Sequence, residues 1–169
     1  GDLLPIADAV HKAGLKFLLW FEPERMTDSA PILQTHPEYR HGQLVDYGNP
    51  AALSWIQDTV YGMIGKHKID VYRQDFNMDP GPVWREMDAP DRVGIAEAKH
   101  IAGLYTFLDD MRGRFPDILQ ENCASGGRRI DLEMNARAHV YCRSDYFIGQ
   151  KPNDTAFILG QNATLNLTP

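Results

Sequence analysis

The sequence is poor in cysteine, with two in 169 residues, and poor in basic residues, with 17 against 23 acidic ones. So few cysteines exclude a disulfide-rich scaffold, and we interpret Cys123 and Cys142 as free thiols, with a single bridge as the less favoured alternative. The net charge of −6 and the lack of a basic cluster argue against a nucleic-acid partner. No apolar run approaches the roughly 18 residues of a membrane span, so we expect no membrane partner.

The rest of the composition is that of a globular domain, with 43% apolar and 24% charged residues. The six histidines and two cysteines lack the spacing of metal sites, so we expect no metal and no cofactor. The chain starts within one helical pattern and stops just after another, which predicts a piece of a longer polypeptide. We expect a soluble protein, either cytoplasmic or secreted or periplasmic; the sequence does not choose between these compartments.

Helical and strand patterns alternate along the chain. Helical spacing of apolar residues covers 3–13, 51–66, 93–115 and roughly 154–165, and strand patterns cover 15–21, 69–76, 117–123 and 138–143. The alternation predicts an α/β fold with a parallel sheet. Glu-Pro-Glu after the first strand, in place of a glycine-rich turn, favours a (β/α)8 TIM barrel over a doubly wound sheet. Because a whole barrel needs about 250 residues, we predict a partial one of about four consecutive βα units.

Polar side chains follow each predicted strand. They are Glu22 and Glu24, then Arg73, Asp75 and Asn77, then Glu121, Asn122 and Cys123, then Arg143 and Asp145. The C-terminal strand ends of a parallel barrel share one face, so these groups are expected to converge on a pocket. Arg73, Asp75 and Asn77 are spaced to share one face of their strand, and we expect the arginine to lower the pKa of Asp75. Two carboxylates from different strands suit hydrolysis of a glycosidic bond.

Ordinary structural roles compete with each of these interpretations. A single charged residue after a strand is more often a solvated loop residue or a helix cap. The glycines of the segment from Cys123 to Arg129 allow close backbone approach to a ligand, although a simple turn is the commoner use. Trp20 is either an apolar platform for a sugar or a core residue, and the sequence favours neither.

Four segments resemble motifs of glycoside hydrolase family 36. They are LWFEPE at 19–24, RQDFN at 73–77, CASGGRR at 123–129 and RSD at 143–145. Their order and the spacing of Asp75 and Asp145 are similar to those of the family. The resemblance implies that residues 1–169 are the central part of a (β/α)8 catalytic domain, truncated at both ends. It further implies retaining hydrolysis of terminal α-linked galactose in oligosaccharides or glycoconjugates by double displacement, without a metal or cofactor.

By position, the resemblance implies Asp75 as nucleophile and Asp145 as general acid/base. Together with the strand-end pattern it marks eight substrate-binding candidates: Trp20, Arg40, Arg73, Asn77, Cys123, Ser125, Gly126 and Arg143. The chain departs from the family at Arg73, where lysine is usual, and at Cys142, where tryptophan is common. The implied partner is an α-galactoside, and the implied assembly is a homo-oligomer, since relatives are commonly oligomeric.

Three alternatives are open at this point. The nearest is an α-N-acetylgalactosaminidase or a related α-glycosidase. The second is a metal-dependent barrel enzyme that uses Glu22, Asp75, Glu121 and Asp145 as oxygen ligands for Mg²⁺. The third is a non-catalytic carbohydrate-binding relative, against which the presence of both aspartates argues.

Overall fold

The computed structural model describes residues 1–142 and residue 145. Its elements are α1 (Leu4–Lys12), β1 (Leu18–Phe21), β2 (Arg40–His41), β3 (Leu44–Val45), α2 (Pro50–His67), β4 (Val71–Gln74), α3 (Gly81–Met87), α4 (Ile95–Arg114), β5 (Leu119–Asn122), α5 (Leu132–Asn135) and β6 (Val140–Tyr141). Two short 3₁₀ helices lie between β1 and β2. The helix predicted over 154–165 lies outside the described residues. In the part that is described, no helix has the length and apolar character needed to cross a membrane.

A four-stranded parallel sheet organises the molecule, with the strand order β1-β4-β5-β6. The register places Trp20 beside Arg73, Arg73 beside Glu121 and Glu121 beside Val140, so one row of side chains crosses all four strands. Helices separate the successive strands along the chain. The predicted α/β fold with four parallel strands is therefore confirmed.

One face of the sheet is buried beneath helices α2 and α4. Its main core comprises Tyr72 of β4, Ile56, Val60 and Ile64 of α2, and Leu104, Phe107, Leu108 and Met111 of α4. The opposite face leaves Leu18, Trp20, Leu119 and Val140 exposed. Because side chains alternate along a strand, this second face also carries Arg73 and Glu121.

Helix α3 (Gly81–Met87) was missed, because the sequence shows no helical pattern between 76 and 93, a stretch that contains Pro80, Pro82 and Pro90. Pro82 lies in the first turn of the helix, where its missing N–H breaks no intrahelical bond. The hairpin of β2 and β3 was also missed, because two-residue strands carry no periodic signal.

Helix α4 packs against the backbone of Tyr47 at Gly103. A Cβ atom at this position would overlap the Tyr47 carbonyl group, lying 2.9 Å from its carbon atom. We expect Gly103→Ala to lower the free energy of unfolding by about 1–3 kcal/mol, because the backbone must shift to make room. Gly113→Ala in the same helix meets nothing within 4 Å and is expected to raise it by up to about 1 kcal/mol. Urea denaturation compares the two variants; equal effects would contradict the proposed packing.

Candidate active site

Asp75 follows β4 directly and its carboxylate accepts hydrogen bonds from three segments of the chain. Oδ1 accepts from the backbone N–H groups of Phe76 at 2.7 Å and Ser125 at 3.1 Å. Oδ2 accepts from the indole Nε1 of Trp20 at 3.2 Å. The backbone N–H of Asp75 in turn donates to the Phe21 carbonyl at 2.8 Å, continuing the β1–β4 ladder. The carboxylate is thus fixed in position by the ends of neighbouring strands.

These contacts keep Asp75 ionised. Burial raises the pKa of Asp75, but hydrogen bonds from the Asn77 side chain, from the backbone N–H groups of Phe76 and Ser125, and from the Cys123 thiol together outweigh it. The net pKa lies below the ordinary value of 3.8. A carboxylate that is ionised at neutral pH and half-exposed can act as a nucleophile.

Arg73 does not lower the pKa of Asp75, which is the effect that the sequence predicted for it. Its Nη1 atom donates to Oε1 of Glu121 at 2.7 Å, across the β4–β5 pair. The groups that lower the pKa of Asp75 are the neutral donors instead, so the predicted cause was wrong although the direction was right. The guanidinium also contacts the sulfur of Cys142.

The loop after β5 is tied to the end of β4. Ser125 adopts a left-handed backbone conformation with φ of 46°, and its hydroxyl donates to Oδ1 of Asn77 at 3.0 Å. Arg128 donates from Nη2 to the Ser125 hydroxyl at 2.8 Å and to the Phe76 carbonyl at 3.1 Å. These bonds hold the strained Ser125 backbone so that its N–H points at Asp75.

Asp145 lies against the same loop, at Gly126. A Cβ atom on Gly126, whose φ is +73°, would lie 2.7 Å from Cγ of Asp145 and 2.5 Å from its backbone nitrogen. A side chain at position 126 would therefore clash with Asp145, and the approach of a ligand to this loop stays a prediction. The Asp145 carboxylate is exposed and accepts a long hydrogen bond from the Cys142 thiol, with Sγ and Oδ1 separated by 3.8 Å.

The buried thiol of Cys123 is a neighbour of both aspartates. Cys123 donates to Asp75, and its sulfur lies within 4.8 Å of both the Cys142 sulfur and a carboxylate oxygen of Asp145. Burial, together with the nearby carboxylate of Asp75, raises the pKa of Cys123 to about 12, so the thiol keeps its proton. Asp75 and Asp145 are thus both neighbours of this thiol, at the C-terminal ends of the strands.

The remaining predicted site residues are placed as follows. Trp20 lies on the face of the sheet opposite the helices, and its indole donates to Asp75, which favours the site role over the core role. Asn77 is exposed beside Asp75. Arg40 lies in β2, where its guanidinium binds Asp28 at 2.7 Å and the Met26 carbonyl at 3.3 Å. Arg143 lies outside the described residues.

Glu24 is buried beneath the site and does not line it, contrary to the sequence expectation that strand-end groups converge on the pocket. It is fully buried, and Arg129 binds it through two hydrogen bonds of 2.6 and 2.7 Å. His100 and Gln74 contact the same carboxylate at 2.9 and 2.8 Å. We call these four residues the Glu24 cluster. Sequence reasoning missed it because its members come from four distant segments; the arginine pair in the glycine-rich loop was the available signal.

The pH dependence of stability tests the Glu24 cluster. Burial raises the pKa of Glu24, but Arg129 and His100 lower it more, to about 2 from the ordinary 4.5. The stabilisation is therefore complete above pH 4.5 and is lost as the pH falls toward 2, by about 3 kcal/mol. Acid titration of the unfolding free energy should show this slope in the wild type and not in Glu24→Gln. Glu86→Gln, at an exposed position, should keep it; equal slopes in the wild type and Glu24→Gln would refute the assignment.

Two carboxylates of the magnesium alternative are already engaged. Oε1 of Glu22 accepts from the Asn77 backbone N–H at 2.6 Å and lies 3.5 Å from Arg25. Glu121 is paired with Arg73. These partners take up oxygens that a hard cation would need, so the geometry does not favour a four-carboxylate Mg²⁺ site.

Comparison with known proteins gives a consistent result. A family model described as Melibiase matches residues 1–147. The α-galactosidase Mel36A of Lactobacillus acidophilus is 32% identical over an alignment of 139 residues. The alignment covers 75% of this chain and 19% of that protein. The chain spans about a fifth of the length of the curated relatives it matches.

Solved structures share the fold. The crystal structure of the α-galactosidase from Lactobacillus brevis has a TM-score of 0.82 at 26% identity, covering 98% of this chain and 23% of that one. A variant of the family 36 α-galactosidase AgaA from Geobacillus stearothermophilus, in complex with stachyose, has a TM-score of 0.75 at 25% identity, covering 85% and 22%. The predicted partial (β/α)8 barrel is confirmed by this likeness. Since the family match extends over most of its length, the chain belongs to the Melibiase family.

Proposed function

We propose that this chain is the central part of the catalytic barrel of a retaining α-galactosidase, continued by further barrel strands on both sides. The observation that carries the proposal is that two carboxylates, Asp75 and Asp145, are both neighbours of the Cys123 thiol. A retaining mechanism needs two carboxyl groups about 5–5.5 Å apart, one to attack the anomeric carbon and one to protonate the leaving oxygen. That both carboxylates neighbour one thiol supports the choice of Asp75 and Asp145 as this pair.

Asp75 is the proposed nucleophile, because its low pKa keeps it ionised and its hydrogen bonds fix its orientation. Attack of a carboxylate oxygen on the anomeric carbon forms the glycosyl-enzyme bond as the bond to the leaving oxygen breaks. Asp145 gives its proton to that oxygen and then takes one from the water that hydrolyses the intermediate. Its exposure allows the leaving group and the water to reach it.

The substrate proposed is a terminal α-galactoside such as those carried by stachyose, the ligand in the AgaA complex. The half-exposed Trp20 indole offers an apolar surface to the C–H face of a sugar. Polar groups for the hydroxyls come from Arg73, Asn77 and the loop at Ser125 and Gly126. Homo-oligomerisation of the whole protein, which the family resemblance implies, belongs to the same proposal.

The function is tested with the whole polypeptide that carries this chain. We expect it to hydrolyse p-nitrophenyl α-galactoside faster than the N-acetylgalactosaminide, and to keep its activity in EDTA. Asp145→Asn should lower turnover, and Asp91→Asn, at a position 80% exposed, should not. Lack of turnover of the galactoside, or full activity of Asp145→Asn, would refute the proposal; loss of activity in EDTA would favour the metal-dependent alternative.

A further inference from the structure

The two departures from the family pattern, Arg73 and Cys142, meet beside the proposed site, where the guanidinium contacts the sulfur. Asn122 of β5 pairs with Tyr141 of β6, so the next residues, Cys123 and Cys142, stand opposite each other at the strand ends. The two cysteines are far apart in the sequence and lack the spacing of a metal motif. The parallel register of β5 and β6 nevertheless brings them side by side. The chain therefore has two neighbouring thiols where the family pattern places a thiol and an indole.

We infer that Cys123, Cys142 and Asp145 form a binding site for a soft divalent cation such as Zn²⁺. Their sulfur and oxygen atoms all lie within 4.8 Å of one another. Tetrahedral zinc, with Zn–S bonds of about 2.3 Å, separates two sulfurs by about 3.8 Å, so small side-chain rotations complete the site. Two thiolates and one carboxylate select zinc or cadmium over magnesium or calcium, which prefer oxygen.

The surroundings accommodate the ion. On binding, both thiols form S–metal bonds and release their protons to solvent. The Arg73 guanidinium, in contact with Cys142, offsets part of the negative charge, while Asp75 and Glu121 are the nearby acidic groups. Exposed Asp145 gives the ion access from the pocket and leaves a fourth position open on that side. Three protein ligands and one open position are a common zinc arrangement.

The bound ion is inhibitory. It occupies the carboxylate of Asp145 and removes the thiol proton that Cys123 donates to Asp75. The inhibition rests on the proposed function, whereas binding of the ion does not. A protein that binds zinc without hydrolysing galactosides would therefore refute the function and leave the metal site intact.

The test uses Co²⁺ as a spectroscopic substitute for Zn²⁺ on the whole polypeptide in the absence of substrate. We expect a thiolate-to-cobalt absorption band in the wild type, about half as intense in Cys142→Ser, and lost when Zn²⁺ displaces cobalt. Cys142→Ser and Cys142→Trp should weaken zinc binding by more than about 100-fold, since loss of an outer partner alone costs 10–100-fold. Asp145→Asn should keep the band at full intensity but bind more weakly.

Zinc inhibition, measured in parallel, should be reversed by EDTA in the wild type and be much weaker in Cys142→Trp. A cobalt band that is unchanged in Cys142→Ser would overturn the site. Inhibition that EDTA does not reverse would also overturn it, because the chelator removes a cation from an open site of this kind. Circular dichroism checks that each variant keeps its fold. Asp91→Asn is the control for removing a carboxylate outside the site.

Discussion

Replacement of Asp75 by asparagine is expected to lower kcat by roughly 10⁴- to 10⁶-fold, the range found when a nucleophile or its partner is removed from a hydrolase. The amide has nearly the size and shape of the carboxylate but cannot attack the anomeric carbon, so no covalent intermediate forms. Asparagine also replaces one acceptor oxygen by an N–H₂ donor. This donor would face either the Ser125 backbone N–H or the Trp20 indole N–H, both of which now donate to the carboxylate. The measurement is steady-state hydrolysis of p-nitrophenyl α-galactoside by the whole polypeptide.

A matched control is available four residues further along the same segment. Asp79 is exposed, and its Oδ1 accepts from the Gly81 N–H at 3.1 Å at the start of α3. Asp79→Asn should leave kcat within a small factor of the wild type. Asp75→Gly provides a second check, because added azide can enter the vacated space and attack the anomeric carbon, giving a β-configured galactosyl azide. Asp75→Asn with more than a tenth of wild-type turnover would exclude Asp75 as the nucleophile.

Arg129→Met is expected to produce the largest loss of stability, about 3–5 kcal/mol, because it leaves the buried carboxylate of Glu24 without its cation. Arg129 is the only arginine among the partners of Glu24 in the described residues, and both of its bonds to that carboxylate are shorter than 2.8 Å. His100 and Gln74 would still contact the carboxylate, but they cannot replace a permanent charge. Urea denaturation at neutral pH gives the change in unfolding free energy.

Two further variants separate the effect of charge from that of side-chain size. Arg92→Met changes an arginine whose side chain is 73% exposed and should alter stability by less than about 0.5 kcal/mol. Glu24→Gln combined with Arg129→Met removes both charges and should recover most of the loss. If the double variant is as unstable as Arg129→Met, the loss comes from packing, which includes the contact of Arg129 with the Phe76 ring at 4.5 Å.

The sequence was sufficient to predict the sheet and its functional edge. Apolar and β-branched runs mark β1, β4 and β5, and two of the polar residues that follow them, Asn77 and Cys123, contact Asp75. These features are local, so periodicity and position after a strand reveal them. The resemblance to the family motifs is the basis for proposing Asp75 and Asp145 as the catalytic pair.

Long-range pairing could not be predicted in the same way. Glu22 and Glu24 look equivalent in the sequence, yet Glu24 is buried and bound by Arg129, while Glu22 accepts from a backbone N–H group at the strand ends. Arg73 likewise turns to Glu121 and not to Asp75, because the β4–β5 register places those two side chains side by side. Such choices depend on which groups the fold brings together, and no local pattern records them.

Within the described residues, the four-stranded sheet has β1 at one edge and β6 at the other. Leu18, Leu119 and Val140 are exposed on the face opposite helices α2 and α4. Free strand edges beside apolar side chains can recruit strands of another copy. If further barrel strands flank this sheet, the order of synthesis on the ribosome matters, since the nascent chain stays prone to self-association until the last flanking strand has emerged.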